Sequence, residues 1–140
     1  MYLLDTNVLS ELRRGSNCDR NVRAWAKANL TKRHFISVLS LGEIRRGIET
    51  LHRKAPDQSQ AFEEWLNRLL VQYEDTILPI TEEISDLWGR MNAKKTLPVI
   101  DGLIAATALE NNLTVVTRNL TDFDSVVSAV NPWEFRRPGS

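Results

Sequence analysis

Residues 98–119, Pro-Val-Ile-Asp-Gly-Leu-Ile-Ala-Ala-Thr-Ala-Leu-Glu-Asn-Asn-Leu-Thr-Val-Val-Thr-Arg-Asn, place a helix directly before a buried strand. Pro98 opens the helix, since its fixed φ suits a first helical turn and its missing N–H is not needed there. The segment from Val99 to about Asn112 is rich in small residues between Ala105 and Ala108, which permit close packing. Leu113 to Thr117 is a short apolar, β-branched run, the composition of a strand covered on both faces. A helix feeding such a strand is a unit of a parallel α/β sheet.

The same alternation extends outward on both sides. Upstream, Tyr2 to Leu4 is a strand ended by Asp5-Thr6-Asn7, a cluster suited to capping a helix that runs to about Arg14. Gly15-Ser16-Asn17 breaks that helix, and a second covers roughly Asp19 to Leu30. Phe35-Ile36-Ser37 is a brief strand. From Val38 onward Leu41, Ile44, Ile48 and Leu51 recur at the period of an amphipathic helix, which Pro56 ends. Asp57 and Gln60 have capping-box-like spacing for the next helix, whose stripe runs through Phe62, Trp65, Leu66, Leu69, Leu70 and Tyr73. Ile77 to Ile80 is a strand closed by Thr81, and Ile84, Leu87, Trp88 and Met91 mark a further helix with Lys94 and Lys95 in its last turn. Beyond Asn119 come a short helix or loop from Leu120, then Val126-Val127, then a tail ending Asn131-Pro132-Trp133. This pattern predicts α/β architecture, a mostly parallel central sheet flanked by helices. Ligands in such sheets sit beyond the carboxyl ends of the strands, where Asp5 and Arg118-Asn119 fall.

The 140 residues suit one domain, 1–140, with a substantial core. Hydrophobic residues at 42% and charged residues at 26% exclude a disordered chain, and no apolar run approaches the roughly 20 residues of a spanning helix. The amino terminus has no signal-peptide pattern. Cys18 is the single cysteine, which rules out an internal disulfide and a Cys-rich zinc site. A cytoplasmic location is the expectation that follows. Eighteen basic residues balance eighteen acidic ones, so attraction to nucleic acid must be local or carried by a bound metal ion.

Each acidic residue of interest admits two readings. Asp5 suits a helix cap, or a carboxylate ligand at a strand end. Ser40-Leu41-Gly42-Glu43 is a capping-box pattern. Yet Gly42 is a poor choice for a first turn, and Gly47, one turn on, leaves space beside the Glu43 carboxylate. Asp101 suits the dipole at a helix start, but it lies among Val99, Ile100, Leu103 and Ile104, and no lysine or arginine of its own helix can pair with it. Asp122 could cap a turn, and Asp124 is a surface charge. His34 borders a strand and His52 a polar helix face, with no Ser-His or Cys-His pairing in view. Trp65 and Trp88 lie on apolar stripes.

Assembled, these blocks resemble the PIN-domain family, in its VapC/FitB branch. The matching segments are Leu3 to Asn7, Ser37 to Ser40 with Glu43 and Gly47, Asp101 to Ala108, Thr117-Arg118-Asn119 with Asp122-Phe123, and Asn131-Pro132-Trp133. They span residues 3 to 133 in order. The resemblance implies a PIN-like three-layer sandwich and a metal-dependent endoribonuclease, the toxin of a bacterial toxin–antitoxin pair. It implies that Asp5, Glu43 and Asp101 form an acidic site for Mg²⁺ or Mn²⁺, ions that favour hard oxygen ligands. The fourth acidic position is left open between Asn119, a neutral orienting group, and Asp122, a weaker ligand through water. Thr6 and Thr117 become hydrogen-bonding supports of the carboxylates. The implied partners are RNA, a cognate antitoxin, operator DNA through that antitoxin, and a second copy of the chain. Arg13, Arg14, Arg45 and Arg46, or Lys94 and Lys95, are candidates for RNA contacts, with Arg45-Arg46 favoured for following Glu43 within a turn.

Three other classes fit the residues less well. A haloacid-dehalogenase-type phosphatase needs Asp-x-Asp, and Asn7 stands at its second position. A receiver domain needs a central-strand Asp and a strand-end Lys, for which no residues can be placed. A catalytically silent PIN fold, binding within an operator complex, is set against by the intact Asp5, Glu43 and Asp101.

Overall fold

Five short strands form one sheet in the computed structural model, which describes residues 1–137. They are β1 (Tyr2–Leu4), β2 (His34–Ser37), β3 (Ile77–Leu78), β4 (Thr114–Val116) and β5 (Ala129–Val130), in the order β3-β2-β1-β4-β5. Every neighbouring pair is parallel, with Leu4 opposite Val116 and Val116 opposite Val130. Parallel pairing requires a crossover between consecutive strands, which is why helices cover both faces.

The helices are α1 (Thr6–Leu12), α2 (Arg20–Ala28), α3 (Val38–Lys54), α4 (Pro56–Gln72), α5 (Glu82–Lys94), α6 (Val99–Glu110) and α7 (Leu120–Phe123). Alternate residues of a strand point to opposite faces, so adjacent residues seed two cores. Leu4, Ile36 and Val116 face Val8, Trp25, Ile44, Trp65 and Leu69 from α1 to α4. Leu3 and Val115 face Ile104, Ala105, Ala108 and Phe123 from α6 and α7. The result is the expected three-layer sandwich.

Several boundaries differ from the sequence expectation. α1 stops at Leu12 rather than Arg14, and Asp19 caps α2 instead of belonging to it. Ser37 caps α3, accepting from the Leu39 N–H at 3.0 Å, so the helix starts as soon as β2 ends. Ser40 therefore sits inside the first turn, and the Ser40–Glu43 capping box does not form. Pro56 is the first residue of α4 rather than a spacer before it, which puts Asp57 in its first turn and leaves no Asp57–Gln60 box. The last strand falls at Ala129–Val130, three residues beyond Val126-Val127. Val127 instead fills the core under α7.

The chain order fixes where a ligand can sit. From β1 the sheet grows through β2 to β3 on one side, then crosses back to place β4 against the other side of β1. The crossovers therefore diverge at the carboxyl ends of β1 and β4, opening a crevice between them. Asp5 follows β1, and Thr117-Arg118-Asn119 follows β4.

Candidate active site

Asp5 occupies that crevice, only 5% exposed. Its Oδ1 accepts from the Thr6 N–H at 2.8 Å, and its Oδ2 accepts from the Thr117 hydroxyl at 2.8 Å. The Asn119 N–H donates to Thr117 Oγ1 at 3.0 Å, which turns the Thr117 proton toward Asp5. Asn7 ties the two strand ends together. Its Nδ2 lies 3.4 Å from Asp5 Oδ2, and its Oδ1 accepts from the Arg118 N–H at 3.2 Å. Burial pushes the Asp5 carboxyl up, the bonds from Thr117 and Thr6 pull it down, and the Glu43 charge raises it.

Glu43 reaches the crevice from α3. The Thr6 hydroxyl donates to its Oε1 at 2.6 Å, with Ser40 Oγ 3.0 Å from the same hydroxyl. A glutamate engaged in a capping box could not make this contact. Beside it, a Cβ at Gly47 would meet nothing within 4 Å, so the space read from the sequence is present. It forms part of a groove of about 230 Å³ lined by Thr6, Ser10, Glu43, Ile44, Phe62 and Trp65, among others.

Asp101 enters from the first turn of α6. Its carboxyl is pushed up to about 6, first by burial and then by the charges of Asp5, Asp122 and Glu43. That coupling brings four carboxylates into one field and includes Asp122, from α7, in it. Asn119 precedes α7 without a side-chain capping bond and meets the site through its backbone N–H. Gly102, next to Asp101, is required by packing: a Cβ there would lie 2.8 Å from Trp88 Nε1.

Among the described residues, none of the four carboxylates forms an ion pair. Nor do three or more acidic, histidine or cysteine side chains close into a ready-made metal cage. Uncompensated hard-oxygen donors around an open crevice suit a hydrated divalent cation that keeps several waters, as Mg²⁺ does. They do not suit a closed structural site.

Arg13, Arg14 and Arg45, proposed from sequence for RNA contacts, each have a partner within the fold. Arg45 makes a bidentate pair with Glu63 of α4 at 2.7 Å, Arg14 pairs with Glu11 at 3.2 Å, and the Arg13 guanidinium lies 3.7 Å from the Phe62 ring centroid. Arg46 is exposed. His34 stacks on Trp25, and His52 meets Ser59 at 3.2 Å between α3 and α4. Sequence reasoning assigned no site role to Asn7 or Ser40. Asn7 was hidden inside a helix-start cluster and Ser40 inside a capping pattern, and only their distance to Asp5 and Thr6 reveals them.

A family model for the PIN domain matches residues 2–129. The chain belongs to the PIN domain family. Within it, this PIN domain is similar to the toxin FitB of Neisseria gonorrhoeae, 31% identical over 95% of this chain and 99% of that one. It is equally similar to a VapC ribonuclease of Sinorhizobium fredii, 31% identical over 96% of this chain and 99% of that one. The solved structure of FitAB bound to a DNA fragment superposes on it with a TM-score of 0.84, at 28% identity, covering 98% of this chain and 99% of the other. PIN-domain nucleases as a class depend on divalent metal, which agrees with the unpaired carboxylates.

Proposed function

We propose that this PIN domain is an endoribonuclease toxin that cuts RNA phosphodiester bonds with Mg²⁺ or Mn²⁺ and is restrained by a cognate antitoxin. The observation that carries this reading is the meeting of Asp5 and Glu43 over Thr6 in one crevice, within the field of Asp101 and Asp122 and, among the described residues, without an ion-pair partner.

Asp5, Glu43 and Asp101 would hold the cation, with Asp122 as a weaker ligand through water. A divalent ion bound there acidifies water and stabilises charge building on the phosphate. The protein's own work is positioning. Thr117 and the Thr6 N–H fix both oxygens of Asp5, while the Thr6 hydroxyl fixes Glu43. Such supports typically change metal affinity or activity by about 10–100-fold when removed. Asn119 orients Thr117 through its backbone N–H.

FitAB is solved on DNA, and this chain matches FitB along nearly its whole length. The corresponding assembly here is a homodimer with an antitoxin that reaches operator DNA. The apolar groove beside Glu43 gives an antitoxin segment a seat next to the carboxylates, where an arginine or lysine can replace the cation's charge. Among the described residues no helix is long and apolar enough to cross a membrane.

The test is cleavage of structured RNAs by the purified chain without antitoxin, with Mg²⁺ or Mn²⁺, with EDTA, and beside Asp101→Asn. Metal-dependent cutting lost in the variant supports the reading. Cutting that survives both EDTA and the substitution refutes the site. Absence of both cutting and metal binding replaces the enzyme with a binding module.

A further inference from the structure

The carboxylate crevice cannot attract RNA by charge on its own, and the overall balance of the chain offers no help. A second concavity supplies what the crevice lacks. It encloses about 570 Å³ between the first turn of α2 and the segment after β5, lined by Asp19, Arg20, Asn21, Phe135, Arg136 and Arg137 with Ala24. Arg20, Arg136 and Arg137 are exposed, and among the described residues none of them forms an ion pair. The one carboxylate in the lining, Asp19, is turned onto its own helix, where Oδ1 accepts from the N–H groups of Asn21 and Val22. It does not neutralise the arginines at short range.

The concavity connects to the crevice through the fold. Residues 131–135 leave the carboxyl end of β5, the same sheet edge that carries Asp5 and Thr117, because all five strands are parallel. Asn21 Nδ2 donates to the Trp133 carbonyl at 2.7 Å, docking this segment on α2. The Arg118 guanidinium lies 4.9 Å from the Trp133 ring centroid, and the Arg118 N–H bonds Asn7 beside Asp5. Arg118 therefore reaches from the residues beside Asp5 to the segment docked on α2 that continues into the concavity. Phe135 lines it partly buried, its ring packed against the core. Exposed arginines grouped along such a concavity suit the phosphate backbone of a single nucleic-acid strand.

We propose that Arg118, Arg20, Arg136 and Arg137 form the track that holds the RNA backbone while its scissile phosphate lies at the carboxylates. This rests on the nuclease reading and adds the residues that bind the strand. Arg13, Arg14 and Arg45, already engaged by Phe62, Glu11 and Glu63, are not part of the track.

The test is steady-state cleavage of a single-stranded RNA across a salt series, with melting curves confirming that each variant folds. Arg20→Gln/Arg136→Gln/Arg137→Gln is expected to raise KM about tenfold with kcat unchanged. The slope of log kcat/KM against log salt becomes shallower by about 2, from roughly 0.7 per lost phosphate contact. The corresponding triple Lys variant retains most of the parent slope. Arg90→Gln, on the outer face of α5 in a pair with Asp86, matches the parent. If the parent cuts RNA and the triple Gln variant keeps its KM and slope, the track is wrong while the nuclease stands. If the parent neither binds nor cuts RNA, both fall. Unchanged KM with lost antitoxin binding assigns the arginines to protein docking and overturns the track.

Discussion

Asp5 and Asp101 face the same crevice, but their surroundings treat the charge differently. Asp5 is the more buried, and burial raises its carboxyl even though each of its oxygens accepts a short bond that favours the anion. Asp101 combines burial with three like charges and rises to about 6. Its folded pKa thus lies above the 3.8 of an ordinary aspartate. Between those values the folded chain keeps a proton that the unfolded chain releases, so this group's contribution to stability falls as pH rises through the window. Without metal, Asp101→Asn should melt above the parent at neutral pH, by on the order of 1 kcal/mol after solvent screening at a partly exposed site. The two curves should meet near pH 4; an offset that is the same at every pH would sink the argument. Thr117→Val tests the opposite case, since the valine keeps the shape and removes the donor to a buried carboxylate. It should cost about 1.5–3 kcal/mol in chemical denaturation and weaken divalent binding at least about tenfold by calorimetry. At this scale the sequence was legible in an unexpected way. Asp5 does cap α1 with one oxygen, and it turns the other to the Thr117 hydroxyl across the crevice, a contact no local pattern announces.

At the scale of elements, what was legible followed from short-range physics. Periodic apolar residues located α3, α4 and α5, Pro98 with a run of small residues located α6, and a β-branched run located β4, because those signals lie within one segment. Capping chemistry is more ambiguous, since Ser37 and Ser40 are both plausible at the start of α3. The choice is made by β2, whose pairing runs through Ser37 and leaves no room for a loop before the helix. β5 is two residues long and exists through its partner β4, so nothing local announces Ala129 and Val130. The contact between α5 and α6 was equally hidden. Gly102 lets the Trp88 ring approach the backbone beside Asp101, and Trp88 Nε1 is left buried without a hydrogen-bond partner among the described residues. A methyl at 2.8 Å from that nitrogen forces the two helices apart. Gly102→Ala should therefore cost about 1–3 kcal/mol in urea unfolding and lower cutting further than lost stability explains, because Asp101 moves with its turn. Trp88→Leu in the same chain should recover part of both losses, as coupled neighbours do. Purely additive effects would show that the ring is not the obstacle.

The whole molecule has no net charge, yet it separates its charges in space. Asp5 and Glu43 meet where the sheet changes direction, in the field of Asp101 and Asp122, and three exposed arginines, without ion pairs among the described residues, line a concavity beside α2. The fold keeps the carboxylates together only against their mutual repulsion, which is an energetic debt held by the metal-free protein. A cation that binds the folded chain and not the unfolded one repays it by mass action, adding about 2.7 kcal/mol at a hundredfold excess over its Kd. Thermal melts should thus rise by several degrees with Mg²⁺ or Mn²⁺ and return with EDTA. Sodium chloride at matched ionic strength screens the repulsion without bridging the ligands, so it should reproduce a small part of the rise. In Asp5→Asn/Asp101→Asn the repulsion is already relieved and the ligand set halved. That chain should begin at a higher melting temperature than the metal-free parent if the lost Asp5 bonds are offset, and in either case it should lose the metal-dependent increment. The increment is the decisive quantity, because it compares each chain with itself. An increment of equal size in the parent, the double variant and the sodium chloride control would mean that the ions act on the general surface, and the carboxylate crevice would no longer be the place where folding and metal binding are linked.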